Sequence, residues 1–344
     1  QMCIRDSYLS PFAPDISGAV SVLFELGGLI VICDAGGCTG NTCGFDEPRW
    51  YTKSSAIYSA GLRDLDAILG RDEKLLDKIG QALESVPEAR FIALIGTPVP
   101  AVIATDYTAL CRMCEKRFHK KSIYIETTGM KDYTYGQVKA YRALINCVEE
   151  KPSEDCIGLW GCSPLDLPSL DSVQALMQRL GKKCIPFGMD DSLENYTKIA
   201  ACKENIVLSP SGLTIAKELG LNFHFDYCLG KWQVKKKKTL ILHQQILANA
   251  LREAIGMGDV ASFFPMDPEY MQANDRFLEG EMDLIGMVKE NAYERIIGDP
   301  LFLRACQGFT GQMVSLPHFA VSGQMYQVES DVTYWAQVKE ALSV

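Results

Sequence analysis

A chain of 344 residues is longer than one ordinary domain, and 47% hydrophobic with 22% charged residues is enough apolar content for two or three separate cores. A formal net charge of −9 speaks against nucleic acid or an anionic membrane surface as partner, and no apolar stretch is long enough to span a bilayer. Thirteen scattered cysteines, with no signal peptide at the start, point to a reducing cytoplasm and to an organism that avoids oxygen.

In chain order, Gln1–Ser7 reads as a non-native scar, and Cys3 is given no role. The apolar run LIVIC (29–33) then breaks into a Gly-rich loop holding Cys33, Cys38 and Cys43. A buried strand that feeds a turn with thiols at its mouth is where α/β proteins place chemistry. The five-residue spacing does not suit a zinc ribbon, which needs tight Cys pairs twice over. Thiolates offered singly from a loop suit iron–sulfur ligation, with further ligands from elsewhere or from a second subunit. Gly36 and Gly37 would let the backbone approach what Cys38 holds. Cys43 and Cys33 are candidates for further local ligands, with Cys33 at the strand end, where packing is the expected role. The competing reading is three small buried hydrophobes, because cysteine is among the most buried residue types.

Further apolar runs follow at 91–96, 122–126, 156–161, 184–188, 205–209, 239–243, 260–264, 294–298 and 313–317, each ended by Gly, Pro, Ser or a polar residue. Continuous apolar strands imply sheets covered on both faces, as in parallel α/β folds. Helical patterns at 72–83, 107–118, 135–148, 170–180, 193–203, 213–219 and 244–255 alternate with them, which predicts repeated βαβ units. Polar joints at 149–155 and 231–238 divide the chain into expected α/β domains at 8–150, 151–232 and 233–344. Their C-terminal strand loops are expected to face a common cleft.

The remaining candidates are weaker. Cys111 and Cys114 form a Cys-x-x-Cys inside a predicted helix, away from the N-terminal position that lowers a thiol pKa, so packing is the expected role. His318, after Pro317 at a strand end, is either a satisfied structural histidine or a ligand and proton donor. Asp299 is expected to cap a turn before Pro300, Arg49 to form a surface ion pair, and Arg63 with Asp64 to cap a helix. Neither GxxxxGK(S/T) nor GxGxxG occurs, so this chain is expected to bind no nucleotide.

The run IVICDAGGCTGN resembles the strand and Gly-Cys loop of nitrogenase component 1 proteins. FIALIGTPVPAVIATDYTAL (91–110) resembles the family's next strand and loop, and RIIGDP (295–300) with LPHFAVSG (316–323) resembles the closing motifs of its third domain. The order of motifs is kept from Tyr8 to Tyr326. The resemblance implies three Rossmann-like domains with mainly parallel sheets. It also implies a bridging iron–sulfur cluster of 4Fe–4S type, which two subunits can share, in which Cys38 takes the central ligand position. The first and third ligand positions fall at Pro14 and Pro98, and proline cannot coordinate iron. The cofactor-ligating cysteine of the catalytic subunit would fall near Ser209, and the cofactor-binding histidine near His318. Dinitrogen reduction is therefore not expected.

What the resemblance implies is an oxidoreductase subunit that accepts low-potential electrons from an ATP-dependent iron-protein reductase. It would work as a homodimer, or as a heterodimer with a second component 1-like chain. The alternative is a non-catalytic metallocofactor scaffold, or a small-molecule binding protein of the same fold.

Overall fold

The computed structural model describes residues 8–9, 12–43, 57–63, 66, 72–98, 105–146, 154–162, 167, 170–189, 198–318 and 331–343. Arg49, Asp64 and Cys147 lie outside the described residues. Two compact units form. The first is Ala13–Pro152 with Gly188–Ala201, and the second takes the rest of the described chain.

The first unit opens with α1 (Asp15–Glu25), whose described side chains are nearly all buried. The helix ends where Gly27 takes φ +75°, a conformation that glycine adopts at little cost. β1 (Leu29–Cys33) is buried along its whole length. It runs into the short helix α2 (Gly37–Asn41), β2 (Ile57–Ser59) and α3 (Asp72–Ser85). On α3 the buried Leu75, Leu76, Ile79 and Ala82 form one stripe against the sheet, the spacing of an amphipathic helix. β3 (Ile92–Gly96), α4 (Tyr107–Phe118), β4 (Ser122–Glu126) and α5 (Tyr133–Ile145) complete the unit. Asp106 and Asp132 cap α4 and α5 by accepting from Ala109 N (2.9 Å) and Tyr135 N (2.8 Å). Cys111 and Cys114 are buried in the core between α3, α4 and the sheet, as packing residues.

The second unit holds two further sheets. β5 (Glu154–Trp160), α6 (Leu170–Leu180), β6 (Cys184–Phe187), β7 (Cys202–Val207) and α7 (Pro210–Glu218) build the smaller one. β8 (Thr239–Leu242), α8 (Gln245–Ile255), β9 (Asp259–Ser262), β10 (Arg276–Phe277), α9 (Glu281–Asn291), β11 (Arg295–Gly298), β12 (Gln312–Ser315) and α10 (Asp331–Ser343) build the larger. The charged stretch 235–238 is tied to the larger sheet: Lys238 N donates to Glu294 Oε2 (2.8 Å), and Lys237 Nζ to Gln312 Oε1 (2.7 Å).

The expected α/β architecture with mainly parallel sheets is present. The strand orders are β2-β1-β3-β4, β6-β5-β7 and β10-β9-β8-β11-β12. Every pairing between these strands is parallel. One local expectation fails over its described part: of the helix predicted over 193–203, residues 193–197 lie outside the described residues, and 198–203 are not α-helical. Ile199–Ala201 make only a 3-10 turn, and Cys202–Val207 continue as strand β7. The Ala-, Lys- and Glu-rich stretch favours helix locally, but the ladder to β5 overrides that propensity.

Candidate functional site

In each sheet the first strand in sequence lies inside, and the chain adds strands first on one side of it and then on the other. A crevice opens at such a switch point beside the C-terminal ends of the two central strands, which is where open α/β sheets take ligands. In the four-stranded sheet these are β1 and β3, with Cys33 in register with Gly96. The Gly-Cys loop leaves β1 there, and Thr97 and the exposed Pro98 leave β3.

Asp34 fixes the loop. It is 2% exposed. Its carboxylate accepts from Thr39 N (2.9 Å), Thr39 Oγ1 (3.1 Å) and Ser59 Oγ (2.6 Å). Thr97 Oγ1 donates to Cys33 O (2.8 Å), locking the strand end to its neighbour. Gly36 sits at φ +118°, where a side chain would be strained. A Cβ at Gly36, Gly37 or Gly40 would meet no atom of the described residues within 4 Å. No described residue covers the backbone here.

The three cysteines separate. Cys38, on the first turn of α2, and Cys43 are half-buried on the loop. Burial, and secondarily Asp34, raise the Cys43 thiol pKa. Cys33 is packed in the core, and burial pushes its thiol up to about 12. Among the described residues no three of His, Cys, Asp and Glu come together as metal ligands. Pro14 bridges to Asp132, and the next residue, Asp15, accepts from Thr128 N (2.8 Å) and Gly129 N (2.7 Å) in the loop after β4. Pro14, the Cys loop and Pro98 therefore share the C-terminal edge of one sheet. Asp34→Ala should lower stability by about 2 kcal/mol, because three half-buried donors lose a buried acceptor. A thermal melt checks this.

The five-stranded sheet has its switch point between β8 and β11. His243 follows β8, Asp299 follows β11, and His318 lies just beyond β12. The imidazoles of His243 and His318 stack with centroids 3.9 Å apart and planes 9° from parallel. Phe264, Phe302 and Phe12 stand around His318 at 5.0, 5.6 and 6.4 Å. Asp299 accepts from Leu301 N (2.9 Å), the expected cap, and from His318 N (3.1 Å). His243 Nε2 faces Pro317 O at 3.3 Å. Among the described residues, His243 Nδ1 and both ring nitrogens of His318 have no hydrogen-bond partner. Burial holds the His243 pKa down at about 4 and that of His318 well below the ordinary value. Both rings are thus neutral near pH 7, and among the described residues His318 keeps one donor and one lone pair unused.

Sequence reasoning found His318 but passed over His243, although a histidine directly after TLIL at a strand end was the available signal. It also passed over Asp34, visible only as an acid between a strand and a Gly-rich turn. In the smaller sheet Ser209 is fully buried and caps α7, accepting from Gly212 N (3.2 Å).

Among curated proteins no match is found. Two solved structures described as nitrogenase Cp1 share this fold. The one at pH 6.5 has TM-score 0.69 and 12% identity, over 99% of this chain and 94% of the other. The one at pH 5 has TM-score 0.69 and 10% identity, over 98% and 89%. At such identity the likeness speaks for the fold alone. The family model for nitrogenase component 1 type oxidoreductases matches residues 15–229, more than half of the chain. The chain therefore belongs to the nitrogenase component 1 type oxidoreductase family.

Proposed function

We propose that this chain is the electron-accepting subunit of a nitrogenase-like oxidoreductase, with Cys38 and Cys43 as its contribution to an iron–sulfur cluster. The observation that carries this reading is the Gly-Cys loop. It lies at a switch point, is clamped by Asp34, and has backbone at Gly36 and Gly37 that no described residue covers. Two loop thiols are half of what a four-ligand cluster needs. The described residues of one chain do not complete the set, whereas two chains across a two-fold axis would. The donor set fits a shared cluster in a dimer, either of two copies or with a second component 1-like chain.

The cluster would supply a store for single low-potential electrons, delivered in this family by an ATP-dependent iron protein. The chain's own part is to present Cys38 and Cys43 from a loop that Asp34 holds. His318 is read as the residue that exchanges a proton with substrate through a ring nitrogen, its neutral state held by burial.

A second reading, a scaffold or small-molecule binding protein, is favoured by Pro14 and Pro98 at positions where the family places cysteines. Anaerobic reconstitution separates the two. The parent should bind about four iron atoms per pair of chains and show thiolate-to-iron absorbance. Cys38→Ala should abolish both, Cys43→Ala should weaken both, and Cys111→Ala should change neither. A parent that never takes up iron, or a Cys38→Ala variant that keeps it, removes the electron-transfer reading. Reduction of the bound cluster by an iron protein with ATP then tests the partner.

A further inference from the structure

The three-stranded sheet carries thiols at the edge opposite its C-terminal loops. Cys184 opens β6, Cys202 opens β7, and Cys156 is the third residue of β5 between them. The register of β5 against β7 slips between the pairs Glu154↔Cys202 and Ile157↔Glu204, so Asp155 and Cys156 stand opposite Lys203 alone. Such a bulge re-aims side chains. Here Cys156 Sγ donates to Cys202 Sγ at 3.1 Å, and about 1 Å of closure would bring the sulfurs to the bond length of about 2.05 Å. Cys184 Sγ is committed to its own strand start, donating to Lys182 O (3.4 Å). Cys156 is 2% exposed, whereas Cys202 is half-buried and open to a reagent. The ion pairs Lys183–Glu154 and Lys182–Glu204 make this edge a charged surface, not the apolar setting of a purely packed thiol.

We propose that Cys156 and Cys202 are a redox-active dithiol that closes reversibly to a disulfide, stapling β5 to β7, with a low-molecular-weight disulfide as the oxidant. The Cys202 thiolate attacks one sulfur of the small disulfide. It forms a mixed disulfide and expels one small thiolate, which takes the Cys202 proton. Cys156 then attacks Cys202 Sγ and expels the second thiolate, which takes the Cys156 proton. The protein thiols lose two electrons, and the small disulfide gains them as two thiols. Burial, and next the hydrogen bond with Cys156, raise the Cys202 thiol well above its ordinary value, so Cys202 rests protonated and reacts through a small thiolate fraction. The bond would join residues 46 apart in sequence, and closing a loop of that length restricts the unfolded chain.

The test is to equilibrate the full chain, without air, in glutathione buffers from fully reduced to fully oxidised, then alkylate and map it after trypsin. Cys202 falls in the peptide IAACK (199–203), apart from the peptide carrying Cys184. The expected oxidised product links IAACK to the peptide containing Cys156, with fragmentation placing the bond on Cys156 and not on Cys147 or Cys162. The thermal midpoint should rise by several degrees, and dithiothreitol should reverse both changes. Cys202→Ser should remove both changes, and Cys184→Ser should leave both. Full alkylation of Cys156 and Cys202 across the whole series would overturn the proposal. So would a glutathione adduct at Cys202 without the cross-link, or a bond from Cys202 to Cys184. The mapping uses the parent protein, so its outcome does not depend on any variant folding.

Discussion

Gly18→Ala and Gly136→Ala are each expected to cost the first unit about 3 kcal/mol or more, at the upper end of what overpacking does. A Cβ on Gly18 would lie 1.9 Å from Tyr133 O, and one on Gly136 would lie 1.9 Å from Asp15 O. In both cases the obstacle is backbone, which cannot rotate away as a side chain can. The two glycines let α1 and α5 approach until each main chain touches the other. Either methyl group would push α1 off α5 and pull Asp15 from the Thr128 and Gly129 amides that it satisfies. Gly286, in the middle of α9, is the control, because a Cβ there meets no atom of the described residues within 4 Å. Gly286→Ala should stabilise by about 0.5–1 kcal/mol through helix propensity alone. Chemical denaturation of the three variants checks the contrast. If Gly18→Ala unfolds like the parent, the close approach of α1 and α5 is wrong.

The same helix shows why part of the fold was illegible in sequence. Strands such as LIVIC and IALIG stood out because a parallel sheet covered on both faces needs an unbroken apolar run. α1 is buried on nearly all sides and so has no polar face to give it a helical period, and Gly18 within it reads locally as a breaker. The two-residue strand β10 is exposed and carries no apolar pattern at all. The site was legible to a similar degree. Cys38 and Cys43 could be placed at a strand end because the strand and the glycines are local signals. That Cys33 belongs to the core depends on α3 and α4 packing against it, which no local pattern reports. His243 meets His318, far along the chain, only after β8, β11 and β12 pair in register.

Acid is expected to destabilise the second unit through that histidine pair. In the unfolded chain His243 takes a proton near its ordinary pKa of about 6.5, whereas in the fold it resists protonation down to about 4. Between those values the unfolded state binds more protons, so stability falls as pH falls through the window and stops falling below it. At about 1.36 kcal/mol per pH unit, His243 alone removes about 2 kcal/mol by pH 5 and about 3 kcal/mol by pH 4. His318 acts in the same direction, because burial and then the neighbouring His243 disfavour its charge. Asp299 acts in the opposite direction. Burial raises its carboxyl pKa, so the fold takes up that proton before the unfolded chain does and regains some stability. The aromatic walls, Phe12, Phe264 and Phe302, carry no titratable group. Urea unfolding at about pH 7 and about pH 5 reads the difference. His243→Gln, which cannot titrate, should show a loss smaller than the parent's by about 2 kcal/mol. Equal losses in parent and variant would mean that the ring is not held neutral by its surroundings. Should the difference appear, the folded state holds the stacked pair neutral through that window, and any proton exchange at His318 starts from the neutral imidazole.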